Sequence, residues 1–162
     1  MTQDLGRGLG LAAQPGDFFA LVGELGSGKT TLARGILEGL GVPEGGRSPS
    51  FPIIMEYRGR FPVHHLDVYR LRRPEELEEL GYEEIFYGPG VVIVEWADLI
   101  EAYLPAEHLR VELELPPPGE ASPGPEAGRR RITFHPVGER YRHLLPALEL
   151  PPGLAWREGP GP

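Results

Sequence analysis

The sequence predicts an α/β fold, a three-layer sandwich with a mostly parallel central sheet and some antiparallel strands. Three observations predict it. Phe18-Phe19-Ala20-Leu21-Val22 and Val91-Val92-Ile93-Val94 are continuous apolar runs of strand length, the type buried on both faces of a parallel sheet. Stretches with helical spacing stand between the strand-like runs, as crossover connections require. A glycine-rich loop, Gly23 to Gly28, joins the first apolar run directly to a helix.

Residues 2–13 place apolar side chains at Leu5, Leu9, Ala12 and Ala13, which predicts a short helix. Pro15-Gly16-Asp17 turns the chain into the first strand. After the glycine-rich loop a helix is expected from about Thr30 to Leu40, with Leu32, Ile36, Leu37 and Leu40 on one side. Gly41 closes it and Pro43 prevents its return. Residues 42–50 read as a polar, flexible loop, and 51–57 and 61–68 as two strands joined at Arg58-Gly59-Arg60. Pro74 opens an acidic helical segment through Leu80, with proline and carboxylates where a helix start favours them. The second apolar strand ends at Glu95-Trp96, a short helix lies near 97–103, and 109–115 alternates as a strand. The Pro/Gly/Glu-rich stretch 116–128 reads as a loop, followed by a strand at 130–135 and a helix around 138–149. A single domain over residues 1–150 is expected, with a disordered tail over 151–162.

Composition narrows the function. The 162 residues are 40% apolar and 25% charged, ordinary for a folded soluble chain. No run approaches the roughly 20 apolar residues that span a bilayer, and no signal sequence is evident at Met1, so the cytoplasm is the expected location. The absence of cysteine excludes disulfides, thiolate metal sites and cysteine nucleophiles. A net charge of −8 argues against nucleic-acid binding through bulk charge. The chain has no asparagine, one lysine and 19 prolines; this fits a thermophilic origin and fits GC-biased codon usage equally well.

One motif carries chemistry. Gly23-Glu24-Leu25-Gly26-Ser27-Gly28-Lys29-Thr30 matches G-x-x-x-x-G-K-[ST] at every fixed position, which makes the predicted fold P-loop NTPase-like. Glycines let the backbone wrap a phosphate so that successive N–H groups point inward, and the following helix adds its positive end. Lys29 would reach the β- and γ-phosphates, and the Thr30 hydroxyl would ligate Mg²⁺. The surroundings agree, with an apolar strand before the motif and a helix after it. The only lysine of the chain stands where a compact ammonium must fit among phosphates, a place that arginine's planar fork fills poorly.

Such a loop needs a carboxylate for the metal, usually at a strand end. Glu95 follows Val91–Val94 directly, and Asp67 ends the alternating strand Val63-His64-His65-Leu66. Both are candidates for catalysis and for the metal. Trp96 reads as a core residue or a ligand contact. His64 and His65 fall on opposite faces of a strand and do not readily share a metal, so structural roles are expected. Arg70, Arg72 and Arg73 form either a phosphate-reaching lid or a solvated loop, and Arg129 to Arg131 either a phosphate or tRNA contact or plain surface charge.

Four blocks taken in order resemble the TsaE (YjeE) ATPases of bacterial tRNA threonylcarbamoyladenosine biosynthesis. They are the P-loop through Thr31, then Ser48-Pro49-Ser50-Phe51, then His65-Leu66-Asp67-Val68-Tyr69-Arg70-Leu71 with Pro74-Glu75-Glu76-Leu77, and Val94-Glu95-Trp96. The likeness covers about residues 2–100. It implies a small ATPase that binds ATP and Mg²⁺ and partners the proteins TsaB and TsaD, which install threonylcarbamoyl on adenosine 37 of tRNA; tRNA would be met only through the complex. It further implies that Glu24, Leu25, Gly26, Ser27, Gly28, Lys29, Thr30 and Thr31 hold nucleotide, and that Thr30, Glu95 and Asp67 serve the metal. Ser50 would belong to a nucleotide-sensing switch, Trp96 would contact nucleotide, and Thr2 would lie near the base. Family members usually have several more residues before the first helix, including an acidic one. The switch here reads Ser-Pro-Ser where Ser-Pro-Thr is usual, and a hydroxyl is retained.

The expected reaction is in-line attack of water on the γ-phosphate, with Lys29 stabilising charge and Asp67 or Glu95 positioning the water. No residue supplies an arginine finger in cis, so slow intrinsic hydrolysis stimulated by partners is expected. The rival readings are a small-molecule kinase and a nucleotide-gated binding module with incidental hydrolysis. Guanine readout by N-K-x-D is excluded by the lack of asparagine.

Overall fold

The structure, a computed structural model, describes residues 1–43, 53–115, 131–152 and 154–155. Its centre is a six-stranded sheet: β1 (Phe18–Gly23), β2 (Ile54–Arg58), β3 (Pro62–Asp67), β4 (Val91–Glu95), β5 (His108–Glu114) and β6 (Arg131–Val137). The strand order is β2-β3-β4-β1-β5-β6. The three central pairings, β3–β4, β4–β1 and β1–β5, are parallel, and the two edge pairings are antiparallel. This is the mixed α/β sheet that the sequence predicts.

Alternation along the central strands builds two cores. Phe19, Leu21, Val63, Val91, Ile93, Leu109 and Val111 face one layer, made of α1 (Thr2–Ala12), α2 (Lys29–Gly39) and α5 (Glu139–Ala147). Phe18, Ala20, Leu66, Val92 and Val94 face the other, made of α3 (Glu76–Glu79), α4 (Tyr82–Phe86) and the 3-10 helix Ala97–Tyr103. Each run is apolar throughout because both of its faces are covered. The chain leaves β1 into the first layer through α2 and leaves β4 into the second, which opens a crevice at the carboxyl ends of these neighbours. Open α/β sheets bind ligands at such a place.

The helices α1 and α2 run parallel and touch through glycine. A Cβ on Gly6 would stand 2.4 Å from the Leu32 carbonyl oxygen, one on Gly10 2.2 Å from that of Ile36, and one on Gly35 2.1 Å from that of Gln3. The Arg60 guanidinium, from the β2–β3 turn, donates to the carbonyl oxygens of Gly10 (2.8 Å), Leu11 (3.3 Å) and Gly39, so one side chain satisfies the last turns of both helices. The Arg60 N–H also donates to Leu40 O at 2.7 Å.

Several elements differ from expectation in extent or type. The acidic segment from Pro74 to Leu80 is helical over Glu76–Glu79, and beyond Gly81, which adopts φ 69°, stands a further short helix, Tyr82–Phe86, that the sequence pattern did not announce. The helix after β4 is a 3-10 helix with a kink at Ile100. β3 stops at Asp67 because its side chain accepts the Tyr69 N–H at 3.1 Å and turns the chain into Val68–Arg70. The expectations for Ser48, Ser50 and Phe51, for the Pro-rich loop at 116–125, for Arg129 and Arg130, and for the tail from Trp156 onward concern residues outside the described ones.

Candidate functional site

The glycine-rich loop leaves β1 at Gly23 and enters α2 at Lys29, crossing the carboxyl end of the sheet. Gly26 has φ 80° and Gly28 φ 107°, in the left-handed region that favours glycine. A Cβ on Gly26 would meet nothing within 4 Å, so the loop is open on that side. Glu24 and Leu25 are exposed at the tip, while Ser27 is buried beneath it, with its N–H donating to Glu24 O at 3.0 Å. No side chain caps the first turn of α2.

Lys29 folds back under its own loop. Its Nζ donates to Gly23 O at 2.5 Å and Glu24 O at 2.8 Å, and lies 3.9 Å from the centre of the Trp96 ring. Burial lowers its pKa from the ordinary lysine value, against the charges of Glu95, Asp98 and Asp67, which favour the ammonium. Trp96 adopts φ 63°, the only non-glycine residue with positive φ among the described residues. That backbone costs about 1–2 kcal/mol, and it is here that the chain leaves β4 with the indole over Lys29. Tyr69 packs on the other aromatic of the pair, its ring centre 4.6 Å from that of Trp96.

The two carboxylates come together through strand register. Asp67 on β3 pairs directly with Glu95 on β4. Both share the sheet side of Val63, Val91 and Ile93, the side that packs on α2. Thr30 in the first turn of α2 therefore reaches Glu95, and its Oγ1 donates to Oε1 at 2.6 Å. The other oxygen, Oε2, meets His65 Nε2 at 2.6 Å. Burial would raise the Glu95 pKa, but the bonds and charges of His65, Thr30 and Lys29 outweigh it and hold the carboxyl below the usual range. Asp67 goes the other way, pushed up by burial with Glu95 adding to it, and only partly offset by the Tyr69 N–H.

A hydroxyl beside an ionised carboxylate suits a hard divalent cation. Among the described residues no group of three or more His, Asp or Glu side chains forms a metal cage. Thr30 and Glu95 nevertheless fit a nucleotide with its metal.

The structure brings together Lys29, Thr30, Asp67, Glu95 and Trp96. Thr31 follows in the first turn of α2. Thr2 opens α1, where the neighbouring Gln3 carbonyl lies against Gly35 in the middle of α2, so Thr2 is set back from the loop. His64 sits on the opposite face and meets Glu56 at 3.5 Å, as the alternation predicts. Sequence reasoning missed His65 at the site and the field of Asp98 on Lys29. The signal for His65 was its parity with Asp67, but its meaning depends on which strand lies beside β3.

Comparison with known proteins follows the same outline. A family model for the threonylcarbamoyl adenosine biosynthesis protein TsaE matches residues 1–119. A relative named tRNA threonylcarbamoyladenosine biosynthesis protein TsaE from Bacillus subtilis is 45% identical over 137 residues, 84% of this chain and 80% of the relative. Its namesake from Treponema pallidum is 34% identical, covering 70% of this chain and 84% of its own. The crystal structure of Bacillus subtilis YdiB is 40% identical with a TM-score of 0.69, covering 90% of this chain and 85% of that one. Sequence blocks, sheet order and comparison agree: the chain belongs to the TsaE family of threonylcarbamoyl adenosine biosynthesis proteins.

Proposed function

We propose that this protein binds and slowly hydrolyses Mg-ATP as the ATPase component of the machinery that forms threonylcarbamoyladenosine at position 37 of tRNA, supporting turnover of a TsaB–TsaD assembly in the cytoplasm. The observation that carries it is the 2.6 Å bond between Thr30 of the P-loop helix and Glu95 at the end of β4, with Lys29 beside them. It unites in one place the hydroxyl, carboxylate and ammonium that phosphoryl transfer needs. The names of the relatives supply the pathway. Among the described residues no helix is long and apolar enough to cross a membrane.

The residues divide the work by their electrostatics. Glycine N–H groups of the loop would cradle phosphates, and Lys29 would exchange its bonds to Gly23 O and Glu24 O for phosphate oxygens. Glu95, held ionised by His65, Thr30 and Lys29, would hold the cation with Thr30. When bound, Mg²⁺ supplies neutralisation of the charge on the β- and γ-phosphates. Asp67, with its proton affinity raised by burial, is the better placed of the two carboxylates to orient and deprotonate the attacking water. Trp96 and Tyr69 would screen the site from solvent.

The test is ATP hydrolysis by the purified protein, alone and with TsaB and TsaD, for wild type and Lys29→Ala. Slow turnover that the partners stimulate, and that Lys29→Ala abolishes, is expected. Hydrolysis indifferent to the partners, or retained by Lys29→Ala, would overturn the assignment; turnover only with an added small-molecule acceptor would replace it with a kinase.

A further inference from the structure

Two side chains grip the Glu95 carboxylate, one at each oxygen, and the function proposed above gives His65 no more than a share in keeping it ionised. His65 and Glu95 side chains are each 2% exposed, so their 2.6 Å contact is sealed from solvent. The other ring nitrogen of His65, Nδ1, is buried and has no hydrogen-bond partner among the described residues. A histidine kept for packing would use its nitrogens on nearby backbone groups; His65 spends its polar contact on one carboxylate. With Glu95 ionised, the contact requires the proton on Nε2, which donates to Oε2.

The consequence lies in the glutamate. The last torsion of a glutamate side chain is broad and roughly two-fold, so nothing intrinsic to Glu95 decides which oxygen faces the loop or at what angle. Two donors approaching from different elements, β3 and α2, remove that freedom. One of them, Thr30, is itself expected to turn its hydroxyl toward a cation. The bond from β3 is then the one that remains.

We propose that His65 is the positioning residue of this site: it pins Oε2 of Glu95 and so presents Oε1 to Thr30 and to the divalent cation that accompanies the nucleotide. The inference rests on the nucleotide function proposed above and deepens it. Partners of this kind behind a metal-binding carboxylate typically matter about 10–100-fold in metal affinity.

The test is equilibrium binding of ATP in Mg²⁺ and in EDTA, for wild type, His65→Gln, His65→Asn and His65→Phe, with a melting curve for each. The Gln amide nitrogen stands about where Nε2 stands, so His65→Gln should keep the gain in affinity that Mg²⁺ brings. His65→Asn reaches only as far as Nδ1. It and His65→Phe should lose about 10–100-fold of that gain while binding ATP in EDTA like wild type. Folded Asn and Phe variants with the full Mg²⁺ gain would overturn the proposal, as would equal losses in both media, which mark a structural role. If His65→Phe does not fold, the Gln–Asn contrast decides alone. Wild type that fails to bind ATP in either medium would instead overturn the function on which the inference rests.

Discussion

Asp67 and Glu95 stand side by side at the ends of β3 and β4, yet their surroundings move them in opposite directions. For Glu95 the folded pKa lies below the unfolded one. The stability it contributes is therefore fully present above the unfolded carboxylate range and is lost as pH falls through the depressed folded value. For Asp67 the folded pKa lies above the unfolded one, so keeping it ionised costs stability at neutral pH, and the cost fades as acid protonates it. Asp67→Asn retains an acceptor for the Tyr69 N–H and removes the charge. It should raise the melting temperature at neutral pH, with the gain shrinking by about pH 4. Melts at the two pH values check this; a loss at neutral pH would mean that the charge is balanced in the fold. At this scale Thr30, Lys29 and Glu95 were legible, because the motif spacing and the end of an apolar run mark them. His65 was not, because a histidine gains its role from the residue across the strand boundary, and pairing is invisible along one chain.

The contact between α1 and α2 shows what local patterns leave out. Leu5 and Leu9 announce an amphipathic helix, and both are buried. The contact itself is made by Gly6, Gly10, Gly35 and Gly39, which propensity counts only as weaknesses. Two substitutions in one helix separate these views. Gly10→Ala places a methyl 2.2 Å from a backbone oxygen and should destabilise by about 1–3 kcal/mol. Gly8→Ala meets the flexible end of Leu148 at 3.3 Å and the Glu149 carbonyl oxygen at an ordinary 3.5 Å, and should stabilise by about 0.5–1 kcal/mol through propensity. Urea unfolding measures both, and equal effects at the two sites would refute the close-contact account. A second fastening lies at α5, beyond residue 119, where the family match ends. There the Tyr141 hydroxyl accepts the Phe18 N–H at 2.8 Å, and burial pushes its pKa up to about 12. Arg140 grips the buried Asp17 carboxylate next to it at 2.7 Å. Tyr141→Phe leaves the first N–H of β1 buried without an acceptor, and should cost about 1–3 kcal/mol in the same assay. An unchanged midpoint would show that another acceptor takes its place.

Across the whole molecule, the sheet was legible where strands are buried on both faces and less so at its margins. β1 and β4 are read almost to the residue because a continuous apolar run has no other soluble use at that length. The acidic helix ending near Leu80 was legible, but α4 after it was not, because Gly81 restarts the helix through its backbone and leaves no mark on the charge pattern. The hairpin β2–β3 was read from its turn, but not the long-range use of that turn. Arg60 ties it to the far ends of α1 and α2, two elements that begin at opposite sides of the P-loop in sequence. In hydrogen-exchange terms, this makes the helix pair and the hairpin one cooperative opening unit rather than two. Arg60→Ala should split that unit. Hairpin amides should then exchange about tenfold or more faster, ahead of those in the middle of α2, whereas Arg58→Ala, at an exposed position of the same turn, should leave the order unchanged. The amides of β3 just before Asp67 would be released with the hairpin, so the breathing of the strand that carries Asp67 is set by a guanidinium at the opposite end of the helical layer.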